Sequence, residues 1–457
     1  MPFNSLTFFV FLVIVFALYW RAKSVRGQNV VLLVSSYVFY GWWDWRFCLL
    51  LASVTVVSYW SCLKLKHTKR WLWCNVLVFA AVLGVFKYFN FFVDSATTFL
   101  TAMGFDAHHE FLRVALPVGI SFYTFQVIGY IVDVYRGTIQ PERSLLVYSV
   151  AISFFPKIAT GPIEKSVNIL PQCEKRRMFD YEQSMDGCRQ MLCGLFKKMV
   201  IADQCGKLAT RVFLGYESMS GSMRLVGAIL YAFQIYGDFS GYSDMAIGTA
   251  KLFGINLAQN FSYPYFARNV AEFWRRWHMS LMAWFKDYLY IPLGGNRCGK
   301  LKQLRNTFVV FLVSGLWHGA NWTFVVWGLV HACLFLPILL IKWSKRDVKL
   351  PTPLAISLTF ISVTLAWVFF RSPDIGTACS YLSGVFSRSL FSKPTMYLSM
   401  FPWLAAFCAV EWLQRNKSHA LDIRFLPKPL RFMICLTVLI VCISYNERSA
   451  EFIYFQF

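Results

Sequence analysis

The chain alternates between long apolar runs and short polar loops. Runs long enough to cross a bilayer as helices lie at about residues 4–20, 28–43, 46–62, 71–92, 114–134, 224–240, 244–258, 304–320, 322–341, 352–370, 397–413 and 429–445. The runs are continuous and lack the two-residue alternation of membrane barrel strands. The pattern therefore predicts an all-α, polytopic integral membrane protein with roughly 11–13 transmembrane helices.

Two segments interrupt this pattern. Between the fifth run and Arg224, proline and glycine break up a mixed sequence, which indicates re-entrant or interfacial helices. The segment from Tyr236 to Asp244 carries two carboxylates and two glycines, and it separates two apolar runs. Glycine there suits a turn between two spans as well as a close approach of helices.

The composition excludes an ordinary soluble domain. The 457 residues are 57% hydrophobic and 15% charged, and the formal net charge is +22. Because the basic residues lie in short loops between apolar runs, membrane topology explains them better than a nucleic-acid partner does. The positive-inside rule predicts loops 21–26, 64–70, 165–198, 275–305, 342–349 and 415–431 inside. Both termini are then outside, and the number of spans is even.

Two histidines are the strongest candidates for a functional site. His318 follows Trp317 near the end of an apolar run, where Gly315 and Gly319 allow close approach of backbone or ligand, and His278 lies in an aromatic and basic stretch. An ionisable group at membrane depth carries a desolvation cost that a function usually explains. Trp317 and Asn321 flank His318 and are predicted to support it.

Asp238 is open to two interpretations. It either orients a catalytic histidine or is a structural carboxylate at a helix start. The stretch from Ala271 to Tyr290 mixes aromatic and basic residues, and it predicts a helix inside the protein or along a wet cavity. The loop after it nearly matches a phosphate-binding loop, but Leu301 replaces the metal-binding Ser or Thr and no strand precedes it.

Other polar candidates have simpler explanations. His331 lacks companion features and is interpreted as a core or interface histidine. His108 and His109 lie side by side on a predicted outer loop without further spaced ligands, so no metal site is predicted.

Four segments together carry a family resemblance: YGDFSGYSDMAIG from Tyr236, FWRRWHMSL from Phe273, YIPLGGN from Tyr290 and SGLWHGANWT from Ser314. On these motifs the chain resembles the membrane-bound O-acyltransferases, and among them the bacterial alginate O-acetyltransferase branch. The resemblance covers most of the chain. It implies one membrane domain over 1–457 around a central tunnel, with N-terminal spans (1–134), a catalytic core (135–345) and C-terminal spans with an aromatic tail (346–457).

The resemblance also implies a reaction and its participants. His318 matches the catalytic histidine, and His278 matches a position usually held by His or Asn. The implied activity is transfer of an acetyl group from cytosolic acetyl-CoA, with no permanently bound cofactor, across the bacterial inner membrane. The implied acceptor is a cell-surface or periplasmic polysaccharide such as alginate, cellulose or peptidoglycan, reached through a periplasmic partner transferase.

Basic residues near the two histidines fit this chemistry. Those expected to hold the CoA phosphates as charge-assisted pairs are Arg275, Arg276, Arg297 and Lys300. His318 would be general base on an acceptor hydroxyl, and His278 would orient or polarise the thioester.

The C-terminal tail and two rival functions complete the expectations. Tyr454, in the tail EFIYFQF, is either a transient acyl carrier, as the resemblance implies, or an interfacial aromatic anchor. D-alanyl transfer to teichoic acid by the same fold is the alternative activity. A secondary transporter is the alternative class, although no paired halves are visible in the sequence.

Overall fold

The computed structural model describes residues 1–64, 68–105, 113–159, 161–345 and 350–445, and every regular element in these ranges is helical. This confirms the all-α prediction. The chain divides into two compact units, one of residues 1–180 with 253–257 and one of residues 181–252 with 258–457. Each unit is described by itself, and the expectation of a single domain stays a prediction.

The described residues of the first unit form eight α-helices. They are α1 (Leu6–Arg21), α2 (Val25–Gly41), α3 (Arg46–Leu63), α4 (Lys69–Ala102), α5 (Ile120–Tyr135), α6 (Leu145–Ser153), α7 (Phe155–Ile158) and α8 (Ser166–Glu174). Arg177 holds three of them together, because its guanidinium donates to Tyr19 Oη and Asn29 Oδ1, both at 2.7 Å, and to the carbonyl of Cys173 at 3.2 Å. The buried guanidinium is thus satisfied by hydrogen bonds, as burial of a charge requires.

Eleven α-helices lie in the part of the second unit that the structure describes. They are α9 (Tyr181–Phe196), α10 (Asp203–Leu214), α11 (Gly221–Leu252), α12 (Val270–Arg276), α13 (Met279–Phe285), α14 (Lys300–His318), α15 (Trp322–Ser344), α16 (Thr352–Arg371), α17 (Ile375–Val385), α18 (Phe401–Leu413) and α19 (Lys428–Ser444). Short π-helical segments at Lys197–Ala202 and Lys286–Tyr290 continue α9 and α13. Turns of 3₁₀-helix lie at Tyr216–Ser218, Pro264–Phe266, Arg388–Phe391 and Leu398–Met400.

The predicted pair of spans at 224–240 and 244–258 is wrong, because α11 is one continuous helix. Its two carboxylates do not break it, since each is buried against a lysine of the π-helical segment. Lys198 Nζ lies 2.7 Å from Asp238 Oδ1, and Lys197 Nζ lies 2.9 Å from Asp244 Oδ2. Residues that look like a turn in the sequence are therefore ion-paired partners of the neighbouring helix.

The glycines of α11 serve close helix packing instead. A Cβ atom at Gly241 would lie 2.7 Å from the carbonyl oxygen of Gly194 on α9, and one at Gly187 on α9 would lie 2.6 Å from the carbonyl oxygen of Gly248. The two pairs are seven residues apart on each helix, as two helical turns require. This is the small-residue contact that lets membrane helices approach backbone to backbone.

The twelve apolar runs thus lie on eleven helices, because two of them share α11. By length and composition, four helices among the described residues are candidates to cross a membrane, namely Arg46–Leu63, Lys69–Ala102, Trp322–Ser344 and Thr352–Arg371. Shorter apolar helices lie at Leu6–Arg21 and Leu398–Leu413. The predicted short pieces before Arg224 are present as α6 to α10.

Candidate active site

His318 is the last residue of α14 and lies at a tight corner. Gly319 follows in extended conformation, and Asn321 caps α15 by accepting a hydrogen bond from the Thr323 backbone N–H at 3.0 Å. Asn321 Nδ2 also donates to the carbonyl of Pro373 at 2.8 Å. Gly315 allows α15 to approach closely, because a Cβ atom there would collide with the carbonyl of Phe324. The glycine before His318 thus has the predicted packing role.

His278 lies at a break between two short helices. The predicted helix over 271–290 is interrupted there, since α12 ends at Arg276, α13 begins at Met279, and His278 has the left-handed φ of 45°. A non-glycine residue in this region costs about 1–3 kcal/mol and persists only where its surroundings fix it. Such strain is commonest at functional sites, which supports the selection of His278.

One buried asparagine fixes this break. The carbonyl of Asn260 accepts from the backbone N–H of Met279 at 2.9 Å, and its Oδ1 accepts from the Ser280 hydroxyl at 2.6 Å. Asn260 Nδ2 in turn donates to Ser243 Oγ on α11 at 3.2 Å. Asn260 therefore ties the residues directly after His278 to the long helix of the unit.

The structure brings the two histidines together in a buried aromatic cluster. Their ring centroids are 6.5 Å apart, and their exposed fractions are 0% for His278 and 2% for His318. The rings of Trp317, Trp327 and Phe370 lie 5.0, 5.0 and 5.3 Å from the His318 ring. One bound group between the histidines could contact both of them.

A cavity of about 1070 Å³ lies beside this cluster. Its wall includes the basic side chains of Arg275, Lys286, Arg297 and Lys342. The rest of the wall is largely apolar and aromatic. The cavity has the upper range of volume found for small-molecule sites, and its charge suits an anionic ligand with a long flexible arm.

Ring contacts connect the cavity wall to His318. Trp274 and Met279 belong to the cavity wall, and Met279 follows His278 directly in the chain. The Trp274 ring lies 5.7 Å from Trp327, whose ring lies 5.0 Å from His318. Two indoles, Trp274 and Trp327, therefore link the cavity wall to His318.

Comparison with known proteins identifies the family. The model of the membrane-bound O-acyltransferase family matches residues 142–372, which contain both histidines. The probable alginate O-acetylase AlgI of Pseudomonas aeruginosa is 39% identical over 395 residues, covering 85% of this chain and 75% of that protein. The chain belongs to the membrane-bound O-acyltransferase family. It is accordingly an acyltransferase.

Two further members of the family have different acceptors in their names. The peptidoglycan O-acetyltransferase of Helicobacter pylori is 35% identical over 404 residues, which are 81% of this chain and 76% of that protein. The teichoic acid D-alanyltransferase of Bacillus subtilis is 28% identical over 285 residues, 58% of this chain and 70% of that protein. The chain resembles the acetyltransferases over more of its length.

The basic residues predicted to bind the donor divide into two groups. Arg275 and Arg297 line the cavity, whereas Arg276 donates to Glu272 Oε1 at 2.6 Å and Lys300 is exposed at the start of α14. Lys286 and Lys342 line the cavity and were not selected from the sequence. The sequence does not point to these two lysines, because each lies apart from the basic loop. They reach the cavity through the packing of α13 and α15.

Asp238 lies in an ion pair, and several other candidates lie outside the described residues. The ion pair of Asp238 with Lys198, which also lies 2.9 Å from Asp203, favours the structural interpretation of this carboxylate. Tyr454 and the adjacent His108 and His109 lie outside the described residues. Within the described ranges no three His, Cys, Asp or Glu side chains are grouped to hold a metal ion.

Proposed function

We propose that the protein takes the acetyl group from cytosolic acetyl-CoA and passes it across the inner membrane for O-acetylation of a polysaccharide. The observation that carries this proposal is the basic cavity whose wall is linked to His318 through the rings of Trp274 and Trp327. Acetyl-CoA combines an anionic nucleotide with a long pantetheine arm that ends in a thioester. Guanidinium and ammonium groups of the cavity would pair with its phosphates, and the arm would reach toward the histidines.

The side of the membrane follows from where the basic residues lie in the sequence. Arg275, Lys286 and Arg297 belong to the segment 275–305, and Lys342 begins the segment 342–349. Both segments are those that the positive-inside rule assigns to the cytoplasm. The cavity would therefore face the compartment that contains acetyl-CoA, and the acceptor would approach His318 from the periplasmic side.

In the proposed reaction His318 is the general base. Its imidazole takes the proton of the acceptor hydroxyl as the oxygen attacks the thioester carbonyl carbon. The new C–O ester bond forms, the C–S bond breaks, and the CoA thiolate recovers the proton from the imidazolium. His278 orients the reacting groups from the other side of the pair. General-base help of this kind is typically worth about 10²–10⁴ in rate.

The acceptor is inferred from the relatives. Proteins named for alginate and peptidoglycan acetylation are 35–39% identical to this chain, whereas the named D-alanyltransferase is 28% identical. We therefore place a polysaccharide hydroxyl ahead of teichoic acid D-alanylation. A periplasmic partner transferase would complete the transfer, with Tyr454 as candidate carrier of the acyl group.

The experiment is acetyl transfer across sealed membranes. Inside-out inner-membrane vesicles that contain the protein receive acetyl-CoA labelled in the acetyl group from outside, which is the cytoplasmic face. The proposal predicts label on lumenal acceptor while CoA stays outside, and no label when His318 is replaced by alanine. Label that remains on the outer face, or label that appears equally with His318→Ala, would refute the proposal.

A further inference from the structure

Two buried N–H groups on one face of α15 call for an explanation. Trp327 and His331 are four residues apart, their ring centroids are 4.7 Å apart, and both side chains are 0% exposed. Trp327 Nε1 and His331 Nε2 have no hydrogen-bond partner among the residues that the structure describes. Burying such a group without an acceptor destabilises a folded protein, so unmatched buried donors often mark functional positions.

The hydrogen bonds of His331 establish which of its ring atoms is the donor. Trp274 Nε1 donates to His331 Nδ1 at 3.3 Å. Because Nδ1 accepts, the neutral imidazole carries its proton on Nε2. His331 was interpreted from the sequence as an ordinary core histidine, but only half of its polar capacity is used. Its Nε2–H remains available for a ligand.

The position of this pair is between the cavity and the histidine that carries out the chemistry. Trp274, which belongs to the cavity wall, lies 5.7 Å from the Trp327 ring and 4.9 Å from the His331 ring. The Trp327 ring also lies 5.0 Å from His318. The pair therefore contacts a residue of the cavity wall and, through Trp327, the ring of His318.

The reaction itself requires a donor at this position. If His318 deprotonates the acceptor, the thioester carbonyl carbon must lie within about 3–3.5 Å of that oxygen, inside the ring shell around His318. The carbonyl oxygen becomes negatively charged in the tetrahedral intermediate and needs preorganised N–H groups. Phe370 in that shell cannot donate, whereas the indoles of Trp317 and Trp327 can, and Trp327 also contacts Trp274 of the cavity wall.

We propose that Trp327 Nε1–H and His331 Nε2–H form the subsite that binds the carbonyl oxygen of the acyl thioester. Trp274 holds the tautomer of His331 and forms the boundary of the subsite toward the cavity. This inference rests on the proposed function and adds two catalytic residues to it. It also moves the polarisation of the thioester from His278 to α15, and it leaves His278 with orientation.

The test compares two non-cleavable CoA derivatives. Acetonyl-CoA keeps the carbonyl oxygen, and the S-propyl thioether of CoA lacks it. Binding is measured by calorimetry on purified protein in nanodiscs. One neutral hydrogen bond corresponds to roughly a two- to tenfold preference for acetonyl-CoA in the wild type. Trp327→Phe, which keeps a ring but removes the N–H, is expected to abolish the preference without weakening S-propyl-CoA.

A matched control and a rate measurement sharpen this comparison. Trp367 stacks on Trp327 at 5.5 Å and is equally buried, so Trp367→Phe removes the same group one ring further from His318. It should keep the preference. Trp327→Phe and His331→Phe should each lower kcat by a factor on the order of 10², as loss of an oxyanion donor does. His331→Asn, which can accept from Trp274 and also donate, should recover part of that loss.

The outcomes separate this proposal from the proposed function. If Trp327→Phe keeps both the preference and kcat, the subsite is wrong while acetyl transfer stands. If the wild type binds neither derivative, the assignment of CoA as donor fails and the subsite fails with it. If Trp327→Phe does not fold, benzothienylalanine at position 327 replaces the N–H by sulfur and keeps nearly the same shape. Its preference for acetonyl-CoA and its kcat then test the subsite in the same way.

Discussion

Asn260 holds the residues that follow His278 through its backbone carbonyl and its side chain. It binds Met279 and Ser280 on one side and Ser243 of α11 on the other, and it is completely buried. A small displacement of a catalytic group reduces the rate strongly, because a shift of about 1 Å can cost 10²-fold. Asn260 is therefore a positioning residue for His278.

Replacing Asn260 by alanine should lower kcat for acetyl transfer by about 10²-fold and leave the affinity for CoA within about twofold. Steady-state kinetics together with CoA titration measure both quantities. Gln259→Ala is the control, because the neighbouring amide donates to the carbonyl of Ser418 and not to the residues after His278. Equal losses in the two variants would show a general packing defect instead of a positioning role.

Arg297 and Lys300 allow a direct comparison of the structural and the sequence-based assignments. Arg297 lines the cavity, whereas Lys300 does not, although both were predicted to bind the donor phosphates. Arg297→Glu should raise KM for acetyl-CoA by about tenfold with kcat little changed, and the effect should weaken at high salt. Lys300→Glu should change KM less. An equal increase of KM in both variants would contradict the assignment of the cavity.

Residue chemistry could be read from the sequence where one side chain is unusual by itself. A histidine in an apolar or aromatic run is costly to bury, so His278 and His318 were found in this way. The roles of Lys286, Trp327 and His331 depend on which helices meet, and no local pattern records that. The role of Lys198 is hidden for the same reason, because its partners Asp238 and Asp203 lie on other elements.

Helix α11 packs against α9. It also bonds Asn260 and carries the aspartates that pair with lysines of the π-helical segment. The backbones of the two helices approach at Gly194 and Gly241, where a methyl group would lie 2.7 Å from a carbonyl oxygen. Gly241→Ala should reduce stability by about 1–3 kcal/mol, because the helices must separate to admit it. A thermal-shift measurement in detergent records the change as a lower Tm.

The matched substitution is Gly84→Ala on α4. A Cβ atom at Gly84 has no neighbour within 4 Å, and alanine is the better helix former by up to about 1 kcal/mol. Its Tm should stay unchanged or rise. If Gly241→Ala is as stable as Gly84→Ala, the glycine contact does not determine the packing of α9 on α11.

Helix identity could largely be read from the sequence, but helix ends could not. Most apolar runs match single helices within a few residues, because continuous hydrophobicity of that length favours a helix. The segment 236–244 was misread because glycine and aspartate usually break helices. Here the glycines admit a neighbouring backbone and the aspartates pair with lysines, which are properties of two helices together.

The distribution of basic segments predicts on which side of the membrane the termini lie. Basic segments after the first helix and before the last one predict both termini outside the cytoplasm, and this requires an even number of crossings. The apolar runs lie on eleven helices among the described residues, so an even number of crossings requires that one of them does not cross or that a further helix does. The thirteen-residue α18 is a candidate for a helix that does not cross, because it is shorter than the thickness of a bilayer.

Reporter fusions test this arrangement. Alkaline phosphatase is active only in the periplasm. Green fluorescent protein fluoresces in the cytoplasm, but it does not fold when it is exported through the general secretory route. Fusions after Phe457 should give active phosphatase and no fluorescence. A fluorescent fusion would place the C-terminus inside, and Tyr454 could then not pass an acyl group to a periplasmic partner.

His318 is assigned the transfer of the acetyl group of acetyl-CoA. Turnover by the purified protein tests this assignment. Wild type and His318→Ala are reconstituted in nanodiscs, and CoA titration first confirms that both bind the donor. Free CoA released from acetyl-CoA is then followed in time. Loss of at least about 10²-fold in turnover with CoA binding retained is the predicted result. Equal turnover by the two proteins would assign the chemistry to another residue.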